Sequence, residues 1–316
     1  MNAQFVRDLA EKLSGAVHEV IAGMDDVIHA LIIALLSEGH VLIEGPPGIA
    51  KTYLAKAFSS ALALDFKRIQ FTADILPSDI IGSTIFNRAT NRFEFRRGPI
   101  FANITLADEI NRASPKSQSA LLEAMQERQV TVEGVIHGLP RPFMIIATQN
   151  PIELEGTYNL PEAEMDRFLI RIFSEYPSRD VELEMLSKKL VHGERVNVKP
   201  VASPEDVLRA IEFTSRVFVD KSIREYIVDL AEATRRHKRI LLGVSPRGEV
   251  ALLYASRAEA AINGKDYVTP DHVKSIVKLV FNHRIILRGG SINPLASRNE
   301  VIKILDEILE EVPAPR

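Results

Sequence analysis

The segment Gly45-Pro46-Pro47-Gly48-Ile49-Ala50-Lys51-Thr52 constrains this chain more than any other. It follows a short β-rich run, His40-Val41-Leu42-Ile43-Glu44, and opens a helical pattern from Thr52 to Leu64. A glycine-rich turn between strand and helix lets successive backbone N–H groups converge on one anion. The helix N-terminus adds the positive end of its dipole. Lys51 supplies a full charge suited to β- and γ-phosphates, and Thr52 a hydroxyl suited to Mg²⁺. Ala50 stands where the common P-loop pattern has glycine. A methyl group is tolerable there if the backbone is already helical. An ordinary strand–turn–helix with a chance lysine is the bland alternative.

Residues 1–37 read as two helices separated near Gly23. Further short apolar strands are Phe66 to Phe71, Ile100 to Ala107 and Pro142 to Thr148, with helical pattern between them, notably Pro115 to Glu127. Strands alternating with helices indicate an α/β fold, a parallel sheet flanked by helices. Two stretches, Ser83 to Arg97 and Gln129 to Pro142, alternate with period two around polar turns and predict β-hairpins. The α/β domain is expected over residues 1–175 and a connecting segment with one helix, Arg179 to Leu190, over 176–202. Residues 203–316 read as an all-helical domain. Ser203-Pro204, Ser245-Pro246 and Thr269-Pro270 each pair an N-cap with proline at the first helical position, and a last helix runs from about Asn299 to Glu311.

A second element strengthens the phosphate reading. Ile104-Thr105-Leu106-Ala107-Asp108-Glu109 is a largely apolar strand ending in two acids. Asp108 is placed to hold hydrated Mg²⁺, and Glu109 to polarise an attacking water. Asn150 follows the next strand, where an amide can bond both that water and the γ-phosphate. Alone, Asn150 would pass for a turn residue, and Asp166-Arg167-Phe168 for a surface ion pair.

Together these pieces resemble the MoxR family of AAA+ ATPases over at least residues 21–290. The resemblance rests on the P-loop and on Gly98-Pro99-Ile100-Phe101-Ala102-Asn103, Asp108-Glu109-Ile110-Asn111-Arg112-Ala113 and Ala120-Leu121-Leu122-Glu123-Ala124-Met125. It rests also on Ala147-Thr148-Gln149-Asn150-Pro151, on Leu160 to Phe168 and on Ser245-Pro246-Arg247. That family likewise carries alanine before the P-loop lysine. The resemblance implies ATP and Mg²⁺ as cofactors, with Gly45 to Tyr53 around the phosphates and Ile21, Ala22 and Gly23 against the adenine. It implies that Asn150 is the sensor-1 residue, that Arg167 is an arginine finger reaching a neighbouring subunit, and that Arg247 is sensor 2. The two hairpins match the helix-2 insert and the pre-sensor-1 hairpin, and the helical domain matches a lid. A hexameric ring and protein partners with von Willebrand A domains are further implications. Met24 departs from the glutamine usual in the family and is expected only to tune a turn.

Composition narrows the alternatives. The chain has no cysteine, which removes disulfides, zinc ribbons and thiol catalysis. A net charge of −3, no tryptophan and only 6% aromatics argue against a nucleic-acid binder. The helicase reading, a motor like the MCM proteins, needs basic hairpin tips; the second hairpin turns at Glu133-Gly134, although the first carries Arg88 and Arg92. A nucleotide-gated scaffold without turnover is disfavoured by the full set Lys51, Asp108, Glu109, Asn150 and Arg167. Gly243 to Gly248 does not fit a nucleophile elbow, so Ser245 reads as an N-cap. His237 and His283 read as interface or partly buried residues, and Arg235 to Arg239 as a solvated helix end. Met1 to Leu13 lacks an apolar signal core, and the densest apolar run, Val27 to Leu36, is too short to span a bilayer. A cytoplasmic protein without membrane insertion is expected.

Overall fold

The computed structural model describes residues 2–150, 157–193, 198–289 and 294–315. The chain opens with α1 (Ala3–His18) and α2 (Asp25–Leu36), then β1 (Val41–Glu44), α3 (Lys51–Ala61) and β2 (Phe66–Gln70). A short α4 (Pro77–Ile81) leads into the hairpin of β3 (Gly82–Asn87) and β4 (Arg92–Arg97). Next come β5 (Ile104–Asp108), α5 (Pro115–Glu127) and a second hairpin of β6 (Gln129–Val132) and β7 (Val135–Gly138). Strand β8 (Met144–Gln149), a single turn α6 (Glu162–Met165) and β9 (Ile170–Phe173) complete this half.

Five strands form one parallel sheet in the order β2-β5-β8-β1-β9. Side chains alternate across it. Val41, Ile43, Ile104, Leu106, Met144 and Ile146 pack on the face shared with α1, α2 and α3, while Leu42, Ala107, Ile145 and Ala147 pack on the face shared with α5. Burial on both faces explains why β1, β5 and β8 read as unbroken apolar runs. All five strands end at one edge, and β1 lies between β8 and β9, so the chain reverses its winding there. A crevice opens at such a point in an open α/β sheet.

The two hairpins form where alternation placed them. Glu133 and Gly134 both take positive φ, at 51° and 79°, which suits a two-residue turn in a twisted hairpin. Phe95 of β4 stacks on His137 of β7 at 4.1 Å, locking the hairpins together.

The remaining helices are α7 (Arg179–His192), α8 (Pro204–Ser215), α9 (Lys221–Arg236), α10 (Pro246–Ile262), α11 (Pro270–Phe281) and α12 (Pro294–Glu311). Ser203, Ser245 and Thr269 are the N-caps of α8, α10 and α11, each with proline in the first turn. Two details differ from the sequence reading. The region after residue 203 is not purely helical, because β10 (Ile240–Leu242) pairs antiparallel with β11 (Ile286–Leu287). The last helix also starts earlier, at Pro294, where proline suits a first turn. Pro151, part of the Asn150 motif, lies outside the described residues.

The helical region grips the sheet through the end of α11. Asn282 Nδ2 donates to the Arg171 carbonyl at 2.9 Å, and His283 Nε2 lies 3.0 Å from the Phe168 carbonyl. Arg284, its side chain 2% exposed, pairs with Asp166 at 2.6 Å and donates to the Phe168 carbonyl at 2.7 Å. His283 is thus fully buried, and burial beside Arg284 holds its pKa well below the usual imidazole range.

Candidate nucleotide site

The P-loop leaves β1 at Gly45, whose backbone is pinned between neighbours. Its N–H donates to the Gln149 carbonyl at 3.2 Å, and a Cβ there would come within 2.2 Å of the Ser174 carbonyl oxygen. Glycine is required by that approach. Gly48 takes φ 84° and Ala50 φ 62°, so the loop closes through two left-handed residues before α3 begins at Lys51. Ala50 is therefore not in the helical backbone under which its methyl group would be free of cost. A left-handed L-residue stores about 1 kcal/mol. Lys51 Nζ donates to the Gly45 carbonyl at 2.7 Å, closing the loop on itself. Burial lowers the Lys51 pKa, opposed by Asp108, Glu44 and Glu109.

The carboxylates converge on this loop. Thr52 Oγ1 lies 3.3 Å from Asp108 Oδ2, and Thr148 Oγ1 donates to Asp108 Oδ1 at 2.5 Å. The same Thr148 oxygen accepts from the Glu109 N–H at 2.9 Å. Glu109 takes φ 57°, turning its side chain out of the strand path just past the sheet edge. There it accepts from Gln70 Nε2 at 2.8 Å and pairs with Arg112 at 3.3 Å. Arg68 Nη2 lies 2.7 Å from Asp108 Oδ2. Asn150 is half-buried at the end of β8, beside the strand that carries the loop.

Next to the loop is a cavity of about 790 Å³, large enough for a nucleoside. Ile21, Ala22, Gly23, Pro47, Gly48, Ile49, Ala50 and Tyr53 all line it, while Gly45, Pro46, Lys51 and Thr52 lie at its edge. Its far wall was not foreseen from the sequence. Phe173, Tyr176, Val181, Met185 and Leu186 form it, so α7 covers the base pocket instead of merely connecting two domains. Lys188 Nζ secures that wall by donating to the Ile21 carbonyl at 2.7 Å. Gly23 fits against it because a Cβ would meet Val181 at 2.9 Å. Met24, at the N-cap of α2 with φ 63°, makes no side-chain cap.

The two distal arginines sit elsewhere. Arg167 pairs with Glu164 at 2.9 Å and donates to the Leu122 carbonyl at 3.1 Å, and it does not line the cavity. Arg247, in the first turn of α10, lies 3.9 Å from Asp166 and is half exposed. Asp166 thus stands between Arg247 and Arg284. Residues Arg68, Gln70, Thr148 and Arg284 carried no motif signal; only their placement beside Asp108, Glu109 and Asp166 reveals them.

The profile of the ATPase family associated with various cellular activities (AAA) matches residues 40–170, and the AAA lid domain matches residues 232–308. The chain is 39% identical to Chaperone MoxR1 of Mycobacterium tuberculosis over 95% of this chain and 81% of that one. It belongs to the MoxR family of AAA+ ATPases. It is also 47% identical to the uncharacterized protein YeaC of Bacillus subtilis, over 86% of this chain and 85% of that protein. A crystal structure of a candidate ATPase from Cytophaga hutchinsonii superposes with a TM-score of 0.90 at 37% identity, covering 99% of this chain and 97% of that one. This MoxR-family protein is accordingly a nucleotide-binding ATP hydrolase with a helical lid, and AAA+ ATPases commonly assemble as rings. No helix among its described residues is long and apolar enough to cross a membrane.

Proposed function

We propose that this MoxR-family ATPase couples ATP hydrolysis to the remodelling, activation or maturation of protein partners. It works as a cytoplasmic hexameric ring in which each subunit completes its neighbour's site. The observation carrying this reading is the separation of parts. Lys51, Thr52, Asp108 and Glu109 gather at one sheet edge, whereas Arg167 is held by Glu164 and Leu122 outside the cavity. An arginine finger supplied by a neighbour can raise turnover by ~10³–10⁵.

In this reading Gly45 to Tyr53 bind the phosphates, and Lys51 exchanges its bond to the Gly45 carbonyl for the β- and γ-oxygens. Thr52 and Asp108 would hold Mg²⁺, which neutralises phosphate charge when bound. Their facing oxygens, 3.3 Å apart, fit a hard cation. Arg68 must then release Asp108 Oδ2. Glu109 accepts a proton from the lytic water, and Asn150 orients it. Arg247 reports on the nucleotide from the first turn of α10. The division into an α/β domain (1–175), a connecting segment (176–202) and a lid (203–316) follows the two sides of the cavity.

The name Chaperone MoxR1 of a relative supports a protein client, and partners with von Willebrand A domains fit the family resemblance. A nucleic-acid motor is less well supported. The second hairpin tip is acidic, and the basic run near Arg235 is paired off: Arg235 with Glu249, Arg236 with Glu232, and Arg239 with Glu307. The test is ATPase rate at about 0.15 M salt with single-stranded DNA, duplex DNA, RNA or a candidate von Willebrand A protein. Stimulation by the protein alone is expected. Strong stimulation by a nucleic acid, lost on charge reversal of Arg88 and Arg92, would replace this reading with the helicase one.

A further inference from the structure

A second cavity, of about 340 Å³, lies at the other end of the sheet from the P-loop. It is lined by Ser37 and Glu38, which precede β1, by Arg128 after α5, by Thr214 at the end of α8, and by Tyr254 and Arg257 of α10. The four-residue β1 puts roughly 13 Å of strand between this end and the P-loop. The cavity is therefore separate from the nucleotide site.

Its charges do not balance. Glu38 is shared by two arginines, with Arg128 Nη1 at 3.1 Å and Arg141 Nε at 2.7 Å. Arg257 is half-buried, and its fully buried Nε has no hydrogen-bond partner among the described residues. No carboxylate among those residues pairs with it. Withdrawing a guanidinium from water without a partner is unfavourable. The nearby hydroxyls cannot supply donors of their own. Ser37 Oγ donates to the Tyr254 carbonyl at 3.2 Å, and Thr214 Oγ1 to the Ala210 carbonyl at 2.8 Å. The guanidinium groups are left as the donors for a ligand. Glu38 and Arg128 both take φ 51°, and left-handed non-glycine residues facing one cavity are a recurrent mark of a built site.

We propose that this cavity binds a small oxyanion of the phosphate or dicarboxylate class, held by Arg257 and the excess positive charge of the Arg128–Glu38–Arg141 cluster. Planar guanidinium forks suit such oxygens. The site joins two elements that also shape the nucleotide site. Glu38 precedes β1, which runs into the P-loop, and Arg257 lies on α10, about 15 Å along the helix from Arg247. An anion bound there draws α10 toward the start of β1, and so it alters ATP turnover.

The test is thermal unfolding of the full chain in chloride buffer, with a saturating non-hydrolysable ATP analogue occupying the P-loop. Inorganic phosphate or succinate is added at constant ionic strength. At tenfold the Kd, a rise in Tm of roughly 3–5 °C is expected. Arg257→Gln should abolish the rise while unfolding no earlier than wild type in chloride, since it breaks no protein contact. Should that variant fail to fold, Arg257→Lys keeps the charge without the fork and should weaken binding at least about fivefold. The wild-type ATPase rate should respond to succinate, and the variant's rate should not. No rise in wild type with either anion, or an equal rise in both proteins, overturns the proposal. A variant that ignores anions but changes the assembly state would assign Arg257 to subunit contact, and overturns it too.

Discussion

Gln70 Nε2 donates to Glu109 Oε2 across 2.8 Å, tying the end of β2 to the carboxylate assigned to the lytic water. Gln70 and Asp108 are paired in register across β2 and β5, so the sheet itself sets this contact. The amide both stabilises the carboxylate anion and holds it toward β2, and Arg112 does the same from the far side. Gln70→Ala should therefore free Glu109 and raise basal ATP turnover. A hydrogen bond of about 1 kcal/mol corresponds to a few-fold change in rate. Steady-state kinetics should show a higher kcat at similar KM; a fall in kcat would mean that Gln70 positions Glu109 productively.

Ala50 carries a methyl group at φ 62° in the P-loop. Ala50→Gly relieves a strain of about 1 kcal/mol, offset in part by the freedom glycine gains in the unfolded chain. Urea unfolding should show the glycine variant more stable by roughly 0.5 kcal/mol, with ADP affinity little changed. Lower stability would place the cost of the left-handed turn elsewhere in the loop.

The sheet and the phosphate end of the site were legible because their signals are local. β1, the P-loop and α3 follow one another directly, and β5 announces its two acids by ending in them. Strand β9 was not legible as a strand. Only four residues long, it carries Arg171 in its middle, a charge made tolerable by Glu44 on the adjacent strand at 2.7 Å. The role of α7 was hidden for a different reason. Val181, Met185 and Leu186 look like the weak apolar stripe of a linker helix until folding brings them opposite Gly23. Asp166 gave only half its meaning, since its partner Arg284 lies far along the chain and arrives through the packing of α11 on β9.

His40 is the buried base of β1, and its two ring nitrogens fix its tautomer. Nδ1 accepts from the Ile145 N–H at 3.0 Å, so Nε2 carries the proton toward the Met125 carbonyl at 3.1 Å. Burial pulls its pKa down to about 4 from an ordinary 6.5. Between those values the unfolded chain binds the proton and the folded chain does not, so stability falls as pH drops from 6.5 toward 4. At pH 5 this amounts to roughly 2 kcal/mol. His40→Gln, which keeps one donor and one acceptor, should lose less stability than wild type between pH 7 and pH 5. Equal losses would mean that other groups carry the acid sensitivity.

The assignment of Arg167 to a neighbouring subunit is the centre of the account, and subunit mixing tests it most directly. Lys51→Ala loses the charge that holds the phosphates, and Arg167→Ala loses the finger, so each variant alone has every interface defective. In mixed rings some interfaces pair an intact P-loop with an intact finger. ATPase activity in the mixture should rise well above that of either variant alone. If mixed rings form, verified by co-purification through two different tags, and activity stays at the level of the separate variants, Arg167 does not act across the interface.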